Sequence, residues 1–292
     1  MLGADPVSMG SSVPRRQLGR MLKEAREKAG FSLDGAAREL EFSRNKMYRI
    51  EGGQTPVRKV DAEAMSRLYG VEPEFMGVIV AVAAETKSQG WWHAYGKVIP
   101  SWFDLYLSLE AASTRIRSYE SGVLPGLLQT REYAEAIFRL RPDVTEEEVE
   151  RKVSLRLERQ RILQRRRPRP PQFDVLIDEA VLRRPIQDRA GMREQLAHLA
   201  EASGRPGVTV QVIPSAVGPH RASIAGAFGI LEFPGGSQPE PTTVYCEGLT
   251  GALYLDRSAE VAAYSSVWQT LTGLALDPAG SRRLIHDVME EI

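Results

Sequence analysis

Apolar residues recur every three or four positions through residues 18–69, and polar positions divide this stretch into four short amphipathic segments. Gly30 ends the first segment, as a glycine placed after a helix commonly does. Ser32 and Ser43 precede the second and third segments, and serine is a preferred cap for helix N-termini. The fourth segment covers residues 57–69. The pattern therefore predicts a bundle of four short helices.

A tight turn joins the second and third segments, which is the arrangement of a helix-turn-helix. The third segment, RNKMYRIE, places Met47 and Ile50 on one face. Its other positions are polar and mostly basic, and those expected to point outward are Arg44, Asn45, Lys46 and Arg49. Arg and Asn pair with guanine and adenine edges, while Lys mostly neutralises phosphate. We expect these side chains to approach the bases of double-stranded DNA.

A second group of residues is expected to hold the phosphates of that duplex. Backbone amides at helix N-termini favour phosphate, and hydroxyl and cationic side chains reach its oxygens. The expected phosphate contacts are Ser32, Ser43, Thr55, Arg58 and Lys59. Residues 15–59 contain 12 Lys and Arg against 6 Asp and Glu, whereas the whole chain has 38 of each. This local excess is typical of a DNA-binding module, although a bundle with a solvated basic face would also show it.

The run LKEAREKAGFSLDGAARELEFSRNKMYRIEGGQTPV also resembles the Xre-type, lambda-repressor-like helix-turn-helix, the class that includes phage repressors. The likeness lies in the arginine of the first helix, the small Ala37 of the second, and a glutamate followed by glycine at the end of the third. The resemblance implies an all-α bundle. It also implies an ion pair across that bundle between Arg26 and Glu51.

Composition suggests the domain boundaries. Residues 1–13 are small, polar and contain Gly and Pro, so we expect them to be disordered. The helix-turn-helix domain is expected over residues 14–72. Residues 73–89 predict a connecting helix and linker, and because this helix is apolar on all sides it should pack against a neighbouring part of the chain or a second subunit. Residues 90–292 are left for a C-terminal domain.

The C-terminal region contains patterns of both helices and strands. Helices are expected over residues 102–116, 130–139, 146–166, 258–274 and 280–291, and over the run MREQLAHLAEAS. The helix beginning at Glu146 follows a capping box formed by Thr145 and Glu148. Four β-branched or aromatic runs predict strands: FDVLID, VTVQVIP, GAFGILEF and TTVYCE. The predicted fold class is multidomain and mostly α, with a C-terminal α+β domain that holds a small, partly antiparallel sheet.

The runs GWW, LSLEAAS and VLPGLLQTREYAEAI resemble the large domain of WhiJ-type, antitoxin-like regulators of actinomycetes. The resemblance implies a small partner protein encoded nearby. Aromatic and apolar residues in this region could form plain core, a docking surface for a partner, or a pocket for a small effector. His220 and Glu247 flank predicted strands and could converge in such a pocket. The candidate partner or effector residues are Trp91, Trp92, Tyr119, Leu127, Leu128, Tyr133, His220 and Glu247.

The end of the helix predicted over residues 146–166 is rich in arginine, in the run RLERQRILQRRRPRPP. One interpretation is a second surface that contacts phosphates. The other is a solvated helix whose C-terminal cations complement its dipole. Leu157, Ile162 and Leu163 give this helix an ordinary buried side, which favours the second interpretation.

Patterns typical of enzymes are scarce. The four histidines lack metal-ligand spacing, and neither a P-loop, a dinucleotide-binding turn nor a GxSxG elbow occurs. We therefore expect a protein that is not an enzyme, with no catalytic residue, metal or cofactor. A single cysteine, Cys246, suits a reducing cytoplasm, the N-terminus lacks a signal-peptide pattern, and the longest apolar run, residues 76–84, is too short to span a bilayer. The expected location is the cytoplasm, with association with the nucleoid when bound to DNA.

The sequence predicts that the protein is a sequence-specific transcriptional regulator. A single helix-turn-helix covers few base pairs, so we expect a homodimer on two half-sites, held by the apolar helix or by the C-terminal domain. One alternative is an antitoxin-like protein whose main role is to bind and restrain a small partner. Another is a repressor that senses a small molecule.

Overall fold

The computed structural model describes residues 13–86, 95, 101–186, 188–235 and 240–292. The chain divides into two compact units. The first comprises Met1–Ala112 and Pro234–Glu240, and the second comprises Ser113–Phe233 and Pro241–Ile292. The pattern of the sequence predicts a C-terminal domain from residue 90, whereas the second unit begins at Ser113. The predicted disorder falls almost wholly on residues 1–12, which lie outside the described residues.

The described part of the first unit is helical. Its helices are α1 (Val13–Lys28), α2 (Leu33–Glu39), α3 (Arg44–Glu51), α4 (Lys59–Leu68), α5 (Pro73–Glu85) and α6 (Ser101–Ala112). The predicted caps are present: the Ser32 hydroxyl accepts a hydrogen bond from the Gly35 amide at 3.0 Å, and the Ser43 hydroxyl accepts one from the Lys46 amide at 3.1 Å. Local capping chemistry therefore fixes where both helices of the helix-turn-helix begin.

One hydrophobic core serves α1 to α5. Its buried side chains include Leu18, Leu22, Met47, Ile50, Met65, Ile79 and Ala83. The last two belong to α5, so this apolar helix is a fifth member of the bundle and packs on α1 and α4. Its opposite side is not fully covered, since Val78 is 47% exposed.

The C-terminal end of α3 lies directly against α1. A Cβ added to Gly19 would stand 2.5 Å from the carbonyl oxygen of Glu51 and 2.7 Å from that of Ile50, so the two backbones touch where only glycine fits. Gly53, just after α3, has a φ of +66°, a conformation that favours glycine. Small residues thus set the distance between the first helix and the end of the third.

The second unit contains a six-stranded mixed sheet. Its strands are β1 (Arg115–Glu120), β2 (Gln172–Asp178), β3 (Val208–Ile213), β4 (Phe228–Glu232), β5 (Thr243–Gly248) and β6 (Gly251–Leu255). They are ordered β3-β2-β1-β4-β5-β6; β1, β2 and β3 are parallel, and the pairs β1–β4, β4–β5 and β5–β6 are antiparallel. The predicted fold class, with its partly antiparallel sheet, is confirmed, but four strands are expected from sequence where the described residues form six.

The two strands that the sequence pattern misses are β1 and β6. Arg115 and Ile116, expected at the end of a helix, lie in β1, because α6 ends at Ala112. Two arginines make RIRSYE unlike a buried strand, but the neighbouring strands supply carboxylates for them. Arg115 lies 2.7 Å from Asp174 of β2, and Arg117 pairs with Glu232 of β4. The charges are thus neutralised across the sheet.

Helices cover the sheet in the second unit. They are α7 (Arg131–Phe138), α8 (Glu146–Gln160), α9 (Glu179–Arg183), α10 (Arg189–Ala202), α11 (Ala222–Ala225), α12 (Ser258–Leu274) and α13 (Pro278–Glu291). The capping box of Thr145 and Glu148 forms as predicted, but α8 ends at Gln160 and a single 3-10 turn, Arg161–Leu163, follows it. On one face of the sheet Tyr119, Phe228 and Trp268 share a core with other residues of the strands and of α12.

Candidate nucleic-acid interface

The exposed edge of α3 is the candidate interface with DNA. Met47 and Ile50 are buried in the core and hold the helix from behind. Arg44, Asn45 and Arg49 are exposed along the opposite side. Amphipathic spacing alone produces this division, because residues three apart on a helix share a face. Three of the four side chains expected to point outward therefore do so.

Lys46, the fourth, is half-buried and is held by the protein itself. Its Nζ lies 3.2 Å from Oδ2 of Asp61 in α4 and 3.2 Å from the centre of the Phe42 ring. Phe42 lies in the turn between α2 and α3. The ammonium group is thus fixed by an ion pair and a cation–π contact, and Lys46 connects α3 to its neighbours as well as carrying charge.

Asp61 is a component of this surface that sequence reasoning missed. Its carboxylate accepts hydrogen bonds from Arg58 Nε at 3.1 Å and Arg58 Nη2 at 2.7 Å, in addition to the contact with Lys46. The hydrogen bonds from Arg58 are the largest cause that lowers the pKa of Asp61, so the carboxyl group stays charged. An acid three residues after an arginine at a helix start is the signal that would have indicated it. One carboxylate thus orients two of the cations assigned to DNA.

Other candidates lie on exposed parts of the same unit. Arg44 is 74% exposed and its Nε stands 3.3 Å from Asp34 Oδ1, a solvated pair that costs little to break. Lys59 is exposed and Thr55 is half-buried, while the hydroxyls of Ser32 and Ser43 are exposed but serve as caps. Tyr48, which was not among the candidates, is 64% exposed on α3. Tyr48 lies beside Asn45 and Arg49 on the helix, so the exposed face of α3 also carries a large flat side chain.

Arg26 and Glu51, the pair that the resemblance implies, lie in contact beneath this surface. Arg26 Nε is 2.7 Å from Glu51 Oε1 and Nη2 is 2.9 Å from Oε2, which is a bidentate geometry. The third guanidinium nitrogen, Nη1, donates to the carbonyl oxygen of Phe31 at 2.7 Å. The side chains are 8% and 6% exposed. The pair therefore ties α1 to the end of α3 and to the start of the segment that leads into α2.

Two family models match the chain. Residues 17–75 match a helix-turn-helix domain, and this match covers α2, α3, α4 and most of α1. Residues 103–287 match the family described as a domain of unknown function, DUF5753, and this match covers more than half of the chain. The chain belongs to the DUF5753 family. No curated protein and no solved structure matches it. The helix-turn-helix domain suggests DNA binding and a role in transcription regulation.

The DUF5753 region contains the residues that sequence reasoning assigned to a partner or an effector. Trp91 and Trp92 lie outside the described residues. The other aromatic and leucine candidates are at most 3% exposed: Tyr119, Leu127, Leu128 and Tyr133. A docking surface requires accessible side chains, and these four are buried. They therefore do not form the exposed docking surface that is one of the three alternatives from sequence.

Glutamine side chains supply hydrogen-bond partners for the backbone of the VLPGLLQT segment in the DUF5753 region. Gln129 Nε2 donates to the Leu124 carbonyl at 2.7 Å, and Gln195 Nε2 donates to that of Leu128 at 2.8 Å. Gln195 Oε1 accepts from the Thr130 amide at 2.6 Å, and Gln160 Nε2 donates to the Gln129 carbonyl at 2.7 Å. Buried backbone polar groups need such partners. These side chains therefore fold an irregular segment into the core.

His220 and Glu247 do not converge in the DUF5753 region. His220 Nε2 lies 3.8 Å from Asp178 Oδ2, and its ring packs edge-on against Tyr119. Glu247 accepts a hydrogen bond from Tyr245, which shares a sheet face with Ser118 by its register. Since Ser118 and Tyr119 are neighbours on a strand, the two candidates lie on opposite faces. Among the described residues, no group of three or more acidic, histidine or cysteine side chains could hold a metal ion.

No helix in the described part of the chain is both long enough and apolar enough to cross a membrane.

Proposed function

We propose that this protein is a sequence-specific, DNA-binding transcriptional regulator of the Xre type. The observation that supports the proposal is the exposed edge of α3, where Arg44 and Asn45 stand free of the core while Met47 and Ile50 anchor the helix. A helix held in this way is the element that enters the major groove in helix-turn-helix proteins.

The side chains divide into two roles. Arg44, Asn45 and Arg49 approach base edges, and each bidentate pair with a base contributes about 1–3 kcal/mol of discrimination. Lys46, fixed by Asp61, lies beside them. Phosphates are held by Ser32, Ser43, Thr55, Arg58 and Lys59. If the five cations of the two roles, together with their neighbours, neutralise about four to six phosphates per subunit, the logarithm of the binding constant falls with the logarithm of salt at a slope of about −4 to −5.

The test is fluorescence anisotropy on DNA from the protein's own promoter, with Arg44→Ala and Asn45→Ala. Each should weaken binding to the specific site by roughly 10-fold or more and leave binding to unrelated DNA less affected, because base contacts carry the sequence information. Arg67→Ala is a matched control, since Arg67 is also 74% exposed and lies near the end of α4. Equal affinity of wild type, Arg44→Ala and Asn45→Ala for the site would remove these residues from the reading role.

A homodimer is part of the proposal, because two half-sites give the specificity that a single bundle lacks. The face of α5 that carries Val78 is an apolar surface of the first unit that a second subunit could cover. Light scattering should show two chains per particle at micromolar concentration. A monomer both with and without DNA would contradict this part.

The antitoxin-like role is a second candidate, and the WhiJ-type resemblance of the VLPGLLQT region favours it. Such a protein would bind a small neighbouring gene product, which could switch DNA binding on or off. The buried positions of Tyr119, Leu127, Leu128 and Tyr133 direct that contact to other parts of the second unit. Co-expression and co-purification with the neighbouring small protein tests the role, and a protein that purifies alone and regulates alone would exclude it.

A further inference from the structure

Three arginines lie close together on the surface of the second unit. Arg166, Arg167 and Arg169 follow the 3-10 turn that ends the α8 region, and all three are exposed. Because α8 ends at Gln160, they are not the cations of a helix C-terminus, which is the interpretation that the sequence favours. The sequence from 159 to 173 contains no Asp or Glu, and the next acid, Asp174, is engaged by Arg115. The segment Arg166–Arg169, called the arginine loop below, therefore concentrates positive charge without a local counter-charge.

Several other arginines of this unit lie beside carboxylates. Arg139 lies 2.9 Å from Glu146, Arg151 lies 2.6 Å from Glu147, and Arg205 lies 2.9 Å from Glu201. In the part of the chain that the structure describes, no ion pair involves a residue of the arginine loop. Unpaired, clustered guanidinium groups repel one another, so an anionic ligand would stabilise them.

The arginine loop is also held in shape. Arg165 Nε donates to the carbonyl oxygen of Arg169 at 3.1 Å, and its Nη2 donates to that of Ser113 at 3.3 Å. Pro168, Pro170 and Pro171 fix φ at three positions within and after the loop. A restrained backbone loses less entropy when its side chains engage a ligand. The charges are therefore presented on a stable support.

We propose that the arginine loop binds the phosphate backbone of double-stranded DNA, as a second contact in addition to α3. The inference rests on the proposed function for its biological setting, because a chain that holds DNA at one site raises the local concentration of phosphate at another. Guanidinium groups pair with phosphate oxygens in a bidentate manner. A membrane surface is a less suitable partner for the loop, because segments that bind membranes add apolar side chains for insertion. Residues 165–171, which include the arginine loop, are only Arg and Pro.

The test uses the full chain and a 40-base-pair duplex of arbitrary sequence, because backbone contacts do not depend on sequence. The variant is Arg166→Gln with Arg167→Gln and Arg169→Gln. Its matched control removes the same charge from ion-paired positions: Arg139→Gln with Arg151→Gln and Arg205→Gln. Binding is measured by anisotropy between 50 and 200 mM salt. The loop variant should show a salt slope shallower by about 2 to 3, and the control should stay within about 0.5 of wild type.

Equal slopes for the loop variant and its control would overturn the proposal. So would loss of binding to vesicles of anionic phospholipid with DNA binding unchanged, which would assign the loop to a membrane surface. The experiments distinguish failure of this proposal from failure of the proposal that α3 reads DNA. If α3 is not the reader, Arg44→Ala and Asn45→Ala leave the specific site unaffected while the loop variant still changes the slope on arbitrary duplex.

Discussion

The ion pair between Arg26 and Glu51 should be a principal source of stability for the first unit. In Glu51→Gln the guanidinium keeps its bond to the Phe31 carbonyl but loses its counter-charge, and the arginine side chain is only 8% exposed. Removal of one partner of a buried ion pair costs about 3–5 kcal/mol. Because glutamine retains one acceptor, we expect a loss near the lower end, about 3 kcal/mol.

Hydrogen exchange of backbone amides, read by mass spectrometry of peptides from α1 and α3, is the suitable measurement. It measures the opening of the first unit separately from that of the second. A single melting curve of a protein with two units does not separate the two transitions. A loss of 3 kcal/mol corresponds to exchange that is more than 100-fold faster for amides that open with the bundle. Peptides from β1 to β3 should exchange as in wild type.

Glu27→Gln is the matched control. Glu27 lies 3.5 Å from the same guanidinium group but is 54% exposed, so its loss should change the free energy of unfolding by less than about 0.5 kcal/mol. Arg26→Leu with Glu51→Leu should recover at least half of the loss, because it leaves no unpaired buried charge and only strands the Phe31 carbonyl. Indistinguishable exchange in Glu51→Gln and Glu27→Gln would refute the assignment.

Two further predictions concern packing and pH. Gly19→Ala should destabilise the bundle by about 1–3 kcal/mol, because the new Cβ would meet the Glu51 carbonyl. Gly77→Ala is the control and should be neutral or stabilising, because nothing lies within 4 Å of the Cβ it would add. Hydrogen exchange of peptides from the bundle measures both effects. Burial raises the pKa of Glu120 from 4.5 to about 7. Since the folded state then binds a proton that the unfolded state has released, the stability of the second unit should fall by about 1–3 kcal/mol between pH 5 and 8, and urea melts should show no such fall in Glu120→Gln.

Much of the first unit could be predicted because its determinants are local. A serine before each helix, a glycine after it and apolar residues three or four apart specify α2 and α3 within a few positions. The orientation of Lys46 could not be predicted in this way. It depends on Asp61, fifteen residues further along the chain, and on a ring in the preceding turn. Contacts of this kind arise only once the helices are packed.

The strand β1 shows the same limit in the second unit. A run with two arginines alternates charge with apolar residues, and nothing within the run indicates that it occupies a central position in a sheet. Its neighbours, β2 and β4, lie more than 50 and 100 residues away in the chain and contribute Asp174 and Glu232. The sequence likewise indicates that the segment VLPGLLQT is apolar. It does not indicate that glutamines of α8 and α10 donate hydrogen bonds to the backbone of this segment.

Only some of the cations in the first unit are able to bind phosphate, so their number along the sequence overstates the charge that DNA could meet. Of the 12 cations between residues 15 and 59, Arg16 and Arg20 pair with Glu240 of the same unit, and Arg26 pairs with Glu51. Those two carboxylates are 4% and 6% exposed, so the three arginines cannot leave them for phosphate without stranding a buried charge. Arg44 and Arg58 are paired too, but their side chains are 74% and 66% exposed and can exchange partners at small cost. The cations able to exchange a carboxylate for phosphate therefore stand where α3 and α4 begin.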